Sequence, residues 1–170
     1  MILNYPFKRE EIEKLNAGDI VYLNGMILTA RDAAHQRLIV DKPEILKDSI
    51  IYYTGPTPAK DGMAIGSCGP TTSSRMDKYF EKMCQLGVLA SIGKGERSND
   101  VLELCKKYHC CYFIIQGGLG ALTSLSVKEA NLSMYPDLLA EAVYKLEVKD
   151  LKVMVSYDTK GNSIYKKSDY

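Results

Sequence analysis

The sequence predicts a single domain of the α/β class. Three observations lead there. Short apolar runs rich in β-branched residues alternate with segments whose apolar residues recur at three- and four-residue steps. Glycine- and proline-rich turns separate the two kinds of segment. The length, 170 residues, suits one core that buries about two-thirds of the unfolded surface. The 22 Lys and Arg nearly cancel the 21 Asp and Glu. No broad field is therefore available to hold a nucleic acid or an anionic membrane, and recognition of an anion must be local. No apolar run approaches the roughly 20 residues of a membrane span, and the first residues lack the charged-then-apolar order of a signal peptide, so a cytoplasmic protein is expected.

Residues 1–17 are mixed in character and read as an N-terminal extension, with a short helix over 10–15. Two β-prone runs, 20–23 and 26–29, flank Asn24-Gly25, a dipeptide typical of tight turns, and predict a hairpin. From Arg31 to Arg37 the residues favour helix, and Pro43 stops it. Arg31 and Asp32 thus fall at a strand-to-helix junction. The residue types leave two roles open for Arg31: binding an anion, or a surface contact with Asp32 or His35. Residues 49–54 read as a strand, followed by Gly55-Pro-Thr-Pro58, which cannot be helical.

A second Gly-Pro-Thr occurs fourteen residues later, inside Ala64-Ile-Gly-Ser-Cys-Gly-Pro-Thr-Thr-Ser-Ser-Arg-Met-Asp77. Read locally, 64–66 ends a strand, Gly69-Pro70 turns the chain, and the hydroxyls of 71–74 cap a helix. Arg75 then sits in the first turn of that helix, against the dipole. Free N–H groups, hydroxyls and a guanidinium together make a receptor for a carboxylate or phosphate. The two similar turns suggest neighbouring loops on one sheet edge, where open α/β folds build their sites.

Met76, Tyr79, Phe80, Met83 and Leu86 mark the apolar face of a helix that ends at Gly87. Residues 88–92 are a strand leading into Gly93-Lys-Gly-Glu-Arg-Ser98. Lys94 lies between two glycines, in an open backbone suited either to reaching a ligand or to an exposed turn; the nucleotide phosphate-loop spacing is absent. Ser98-Asn-Asp100 caps a helix over 101–108, and 111–115 is a buried strand. The glycines at 117, 118 and 120 that follow do not match the dinucleotide fingerprint. Residues 140–149 and 151–157 alternate like strands with one solvated face, 158–162 form a turn, and 166–170 are a tail.

The five cysteines, Cys68, Cys84, Cys105, Cys110 and Cys111, show neither a Cys-x-x-Cys pair nor a zinc pattern. Cys105, His109, Cys110 and Cys111 cluster in sequence. The adjacent pair leads into an apolar run, so a core role is favoured and no metal ligand is assigned to this chain.

Taken together, Thr29-Ala-Arg-Asp-Ala-Ala-His35, Gly55-Pro-Thr-Pro58, Gly69-Pro-Thr-Thr-Ser-Ser-Arg-Met-Asp77, Gly93-Lys-Gly95 and residues 155–162 resemble the β subunit, or C-terminal domain, of class I fumarate hydratases and L-tartrate dehydratases. The motifs follow in the family's order over residues 18–165. The resemblance implies a swivelling β/β/α domain and a hydro-lyase active only with a partner, an α subunit whose three cysteines hold a [4Fe-4S] cluster. An open iron of that cluster would act as a Lewis acid on the departing hydroxyl. It implies that Arg31, Arg75 and Lys94 hold the two carboxylates of a small dicarboxylate, that Thr71 is the catalytic base, and that Asp32 and His35 orient Arg31 or close the subunit interface. Thr71 also has the simpler readings of a helix cap or a hydrogen-bond donor to substrate. Such a substrate needs two local cationic clamps while the chain stays neutral overall.

Two positions depart from the family pattern: Ser74, where glycine is common, and Leu119, where proline or a small residue is common. Neither removes a charged group, and whether either alters substrate choice stays open at the level of sequence. The segment 93–98 is more similar to the fumarase branch than to the tartrate branch. The expectation is therefore the β subunit of a fumarate hydratase within a hetero-oligomer, with L-tartrate dehydratase or another hydroxy-dicarboxylate hydro-lyase as the alternative. A non-catalytic anion-binding or regulatory module is the reading from another class. Arg31, Thr71, Arg75 and Lys94 occurring together speaks against it.

Overall fold

One strand of ten residues, β2 (Ile20–Thr29), organises the sheet in the computed structural model, which describes residues 1–115 and 123–165. The tail at 166–170 lies outside the described residues. Strand β1 (Ile2–Asn4) runs parallel to the first half of β2, and β3 (Ile50–Tyr52) runs parallel to its last residues. Strands β4 (Ala90–Gly93) and β5 (Cys111–Ile114) continue the parallel series. The fifteen-residue β7 (Val143–Tyr157) then pairs antiparallel with β5 on one side and with nearly all of β2 on the other. The ring β2-β3-β4-β5-β7 is thereby closed into a barrel-like sheet, with β1 and β6 (Val127–Met134) as flanking strands. The molecule is a mixed α/β single domain dominated by this sheet.

Parallel neighbours require crossovers, and three helices supply them. Helix α2 (Asp32–Asp41) joins β2 to β3, α3 (Asp77–Gln85) joins β3 to β4, and α4 (Asn99–Tyr108) joins β4 to β5. The expected faces form: Tyr79, Phe80 and Met83 of α3 are buried, and Ser98 accepts from the Val101 N–H as the cap of α4. Alternation divides the core in two. Ile50 and Tyr52 point into the barrel interior, while Ile51 and Tyr53 pack beneath α2 and α3. A short helix, α1 (Arg9–Glu13), brings Ile12 and neighbouring Leu15 into the interior cluster along with Leu3 and Phe7. No helix of the described residues is long and apolar enough to cross a membrane.

Two local expectations give way to long-range pairing. Asn24-Gly25 is not a hairpin turn; β2 runs straight through it, with a register shift against β7 and Gly25 at φ +107°. A Cβ on Gly25 would lie 2.2 Å from the Tyr5 Cβ, so the glycine lets the chain after β1 pass close by. The partner of β2 comes from the far end of the chain, which no local turn signal reports. Correspondingly, 143–149 and 151–157 belong to one strand, whereas 140 and 141 end a 3-10 helix, Pro136–Glu141, and are not part of it. Asp150, at φ +52°, is the extra residue, and it shifts the inward phase from Leu146 and Val148 to Leu151, Val153 and Val155. Its N–H donates to the Asn24 side-chain oxygen at 2.8 Å, holding the two irregularities together. Strand β6 was not anticipated, because its exposed stretch of Lys128, Glu129, Asn131 and Leu132 carries no clean alternation.

Candidate functional site

The carboxyl ends of the parallel strands bear the residues singled out above. Arg31 follows β2 and occupies the position capping α2, with extended backbone. Its Nε stands 3.7 Å from Glu141 Oε1, a loose ion pair in place of the contact with Asp32 suggested by spacing. Arg31 Nε and Asp32 Oδ1 are both buried without a hydrogen-bond partner among the described residues. Buried polar atoms left this way are costly unless a group from outside the chain meets them. The Gly55 backbone comes so close to Arg31 that a Cβ there would lie 3.1 Å from Nη1.

His35 lies one helical turn beyond Arg31 and is fully enclosed. Its ring stacks on Tyr79 at 5.5 Å and meets Tyr53 edge-on at 5.5 Å. Burial lowers its pKa to about 4, so it is neutral at physiological pH. Its part is support of the Arg31 turn from below.

Thr71 does not cap a helix. Its N–H donates to the Tyr53 carbonyl at 2.7 Å, extending β3, while Thr72 bridges Lys94 in parallel register and the Ser73 N–H donates to the Lys94 carbonyl at 3.1 Å. The segment is stitched between the ends of β3 and β4. A 3-10 turn, Ser73–Met76, then leads into α3, whose capping position is Met76 with no side-chain cap. The hydroxyls of 71–74 therefore serve other ends than capping, and 64–66 is irregular loop rather than strand. Arg75 lies in the 3-10 turn, ahead of α3, exposed and without an ion pair among the described residues.

The two Gly-Pro-Thr loops are neighbours, as expected. Thr54 Oγ1 donates to the Gly69 carbonyl at 2.7 Å, and Thr57 binds the second loop through its carbonyl, which takes the Gly66 N–H, and its Oγ1, which takes the Ser67 N–H. Contacts thus run from Arg31 through Gly55 and Thr54 to Gly69, Thr71 and Lys94. Among the described residues, Arg75 is joined to this set through its own turn. The glycines at 117, 118 and 120 and Leu119 lie outside the described residues.

Sequence reasoning passed over Arg97 and Asp77, although both fall inside quoted motifs. Arg97 Nε donates to Asp77 Oδ1 at 2.7 Å, and its guanidinium is enclosed by the rings of Tyr53, Phe80 and Tyr112. Twenty residues separate the pair on different elements, so neither spacing nor periodicity could have joined them. Glu141, the partner of Arg31, was missed for the same reason.

The cysteines do not fit a metal or cluster. All five are free and buried, burial pushes the Cys68 thiol up to about 11 and raises Cys105 and Cys111, and no group of three or more His, Cys, Asp or Glu is placed to hold a metal among the described residues. A cleft of about 560 Å³ lies elsewhere, between β2, β5 and β7, lined by Ile20, Ile114, Leu151 and Val153. It carries none of the anion-binding candidates. The strand-end arrangement thus sets a guanidinium, a hydroxyl and an ammonium, those of Arg31, Thr71 and Lys94, on backbone segments tied to neighbouring strand ends.

Comparison with known proteins bears on this arrangement. A family model described as Fumarase C-terminus matches residues 1–168. Fumarate hydratase 2 of Leishmania major is 38% identical over 168 aligned positions, covering 94% of this chain and 30% of that protein. An aerobic class I fumarate hydratase of Escherichia coli (strain K12) is 37% identical, covering 96% of this chain and 32% of that one. A putative L(+)-tartrate dehydratase subunit beta of Methanocaldococcus jannaschii is 39% identical, covering 96% of this chain and 91% of that one. The chain thus spans about a third of the fumarate hydratases it resembles and nearly all of the tartrate dehydratase subunit.

Proposed function

Because this chain belongs to the Fumarase C-terminus family, we propose that it is the β subunit of a class I fumarate hydratase, reversibly hydrating fumarate to L-malate at a site shared with a cluster-bearing α subunit. The observation that carries the reading is the gathering of Arg31, Thr71 and Lys94 at the carboxyl ends of β2, β3 and β4, with Arg31 Nε and Asp32 Oδ1 buried and unpartnered among the described residues. In this reading Arg31, Arg75 and Lys94 hold the two carboxylates of the substrate. Guanidinium forks fix the plane of a dicarboxylate, so that water adds with defined orientation.

Thr71 moves the proton in this reading, and its hydroxyl needs an acceptor of its own near neutral pH. The partner chain supplies it, as it supplies the [4Fe-4S] cluster, whose ligands this chain's buried thiols do not fit. Asp32 offers its free oxygen across the subunit interface. The domain is of the swivelling β/β/α kind, a reading supported by the closed sheet with its crossover helices. The complex is a cytoplasmic hetero-oligomer.

L-Tartrate dehydration is the second reading. It is favoured by the near end-to-end match to a protein named as a tartrate dehydratase beta subunit. One experiment decides: the chain is combined anaerobically with its cluster-bearing partner, and fumarate hydration is assayed beside tartrate dehydration. Turnover of fumarate only in the complex is the expected result. Activity of the isolated chain overturns the shared site, and inactivity of the complex on every dicarboxylate tried favours a binding module.

A further inference from the structure

Beneath the strand-end site lies a polar network that the reaction does not touch. Arg97 has a side chain with no exposed surface, and its guanidinium carbon lies 5.2, 4.7 and 5.0 Å from the ring centres of Tyr53, Phe80 and Tyr112. Its Nε donates to Asp77 Oδ1 at 2.7 Å, and Nη1 reaches Tyr53 Oη and Ser91 Oγ, each at 3.2 Å. The other Asp77 oxygen takes the Ser98 N–H at 3.3 Å. Tyr157 Oη receives the Arg97 N–H at 2.8 Å and donates to the Arg97 carbonyl at 2.6 Å, fixing the backbone too.

The attachments are not scattered. Asp77 is two residues past Arg75; Arg97 and Ser98 close the loop that begins at Lys94; Tyr53 is the residue whose carbonyl receives Thr71. A second tie joins the same two segments. The Tyr112 hydroxyl, from β5, donates to the Gly95 carbonyl at 2.7 Å and pairs with Ser73 Oγ at 2.8 Å.

Stability alone does not account for this arrangement. A buried ion pair contributes little net stability over apolar residues of similar volume, since desolvation offsets the attraction. Here Arg97 Nη2 also has no acceptor among the described residues, a further cost that an apolar residue would not carry. What the pair supplies and an apolar contact does not is direction: Asp77 takes Arg97 Nε on one oxygen and the Ser98 N–H on the other, while Nη1 is held by Tyr53 and Ser91, so the planar guanidinium is fixed in one orientation.

We propose that the Asp77–Arg97 pair and the Tyr112 hydroxyl form a two-point clasp that sets the spacing between the segment carrying Thr71 and Arg75 and the loop carrying Lys94. Asp77, Arg97 and Tyr112 are then positioning residues, acting on substrate only through the groups they hold; this consequence rests on the dicarboxylate reading above, whereas the clasp itself does not.

Two variants of the full chain, Asp77→Asn and Tyr112→Phe, test it by amide hydrogen exchange. The second removes one oxygen and keeps the ring, so it remains informative if the first fails to fold. Exchange at the Thr71 and Ser73 amides is expected to accelerate at least about tenfold, with the amides of the β2–β7 pair unchanged. Uniform acceleration, or none, overturns the clasp, because a merely structural contribution would lower protection everywhere.

In the reconstituted complex, the same variants are expected to raise KM for the dicarboxylate at least about fivefold with a smaller fall in kcat. Arg75→Ala and Lys94→Ala run alongside. If those two leave KM unchanged while local exchange accelerates in Tyr112→Phe, the carboxylate clamp falls and the clasp stands. If they raise KM while Tyr112→Phe keeps wild-type exchange and KM, the clasp falls and the clamp stands.

Discussion

His35 Nδ1 donates to the Arg31 carbonyl oxygen at 2.7 Å. A carbonyl only accepts, so this contact places the ring proton on Nδ1 and defines the tautomer. The same carbonyl receives the His35 backbone N–H at 3.0 Å, so one residue secures the turn that presents Arg31 by two bonds. Tyr79 and Tyr53 close off the ring from solvent.

The pH dependence of stability follows from that burial. The folded pKa of His35, about 4, lies below the ordinary 6.5, so the unfolded chain binds the proton first as pH falls. The contribution of the neutral ring is fully present above about 6.5 and is lost progressively down to about 4, on the order of 3 kcal/mol in all. Urea unfolding across that range is expected to show wild type losing stability relative to His35→Gln as the medium is acidified. A constant difference between the two proteins would contradict a neutral buried ring.

Arg75 separates binding from folding. Its side chain is exposed and makes no ion pair among the described residues, so Arg75→Ala should alter unfolding free energy by no more than about 0.5 kcal/mol. In the reconstituted complex it should cost at least about 2 kcal/mol in kcat/KM, the value of a lost charge-assisted contact. Steady-state kinetics and thermal melts on the same preparation check both.

Gly93 is required by a close approach. A Cβ there would fall 1.8 Å from Ser73 Oγ and 3.0 Å from the Tyr53 ring. Gly93→Ala must push Ser73 off its Tyr112 partner, and a loss of about 1–3 kcal/mol is expected from overpacking. Adding Ser73→Ala should restore part of it, although the Ser73 Cβ remains 3.2 Å away. Denaturant midpoints of the single and double variants give the answer.

The first seventeen residues contribute to the core. Leu15 has no exposed surface and joins the barrel-interior cluster with Leu3, Phe7 and Ile12. Leu15→Ala is expected to cost about 2–5 kcal/mol. Deletion of residues 1–17 should abolish cooperative unfolding, which calorimetry would detect.

The sequence by itself determined the class of fold and most elements whose signals are local. The face of α3, the span of α4 and its Ser98 cap, the strand before Gly55 and the junction at Arg31 all follow from periodicity, capping and turn chemistry that act within a few residues. The motifs also named Arg31, Thr71, Arg75 and Lys94 as a set.

The tertiary structure decided what those signals cannot encode. Asn24-Gly25 stayed inside a strand because β7, more than a hundred residues away, offered β2 a longer partner than a hairpin would. Thr71 became a strand-edge residue and not a cap because the ends of β3 and β4 had unpaired backbone groups for it to satisfy. Asp77 and Arg97 met only once α3 and the loop after β4 were packed on one sheet. In each case the deciding partner is remote in sequence, so its effect exists only after the chain has folded.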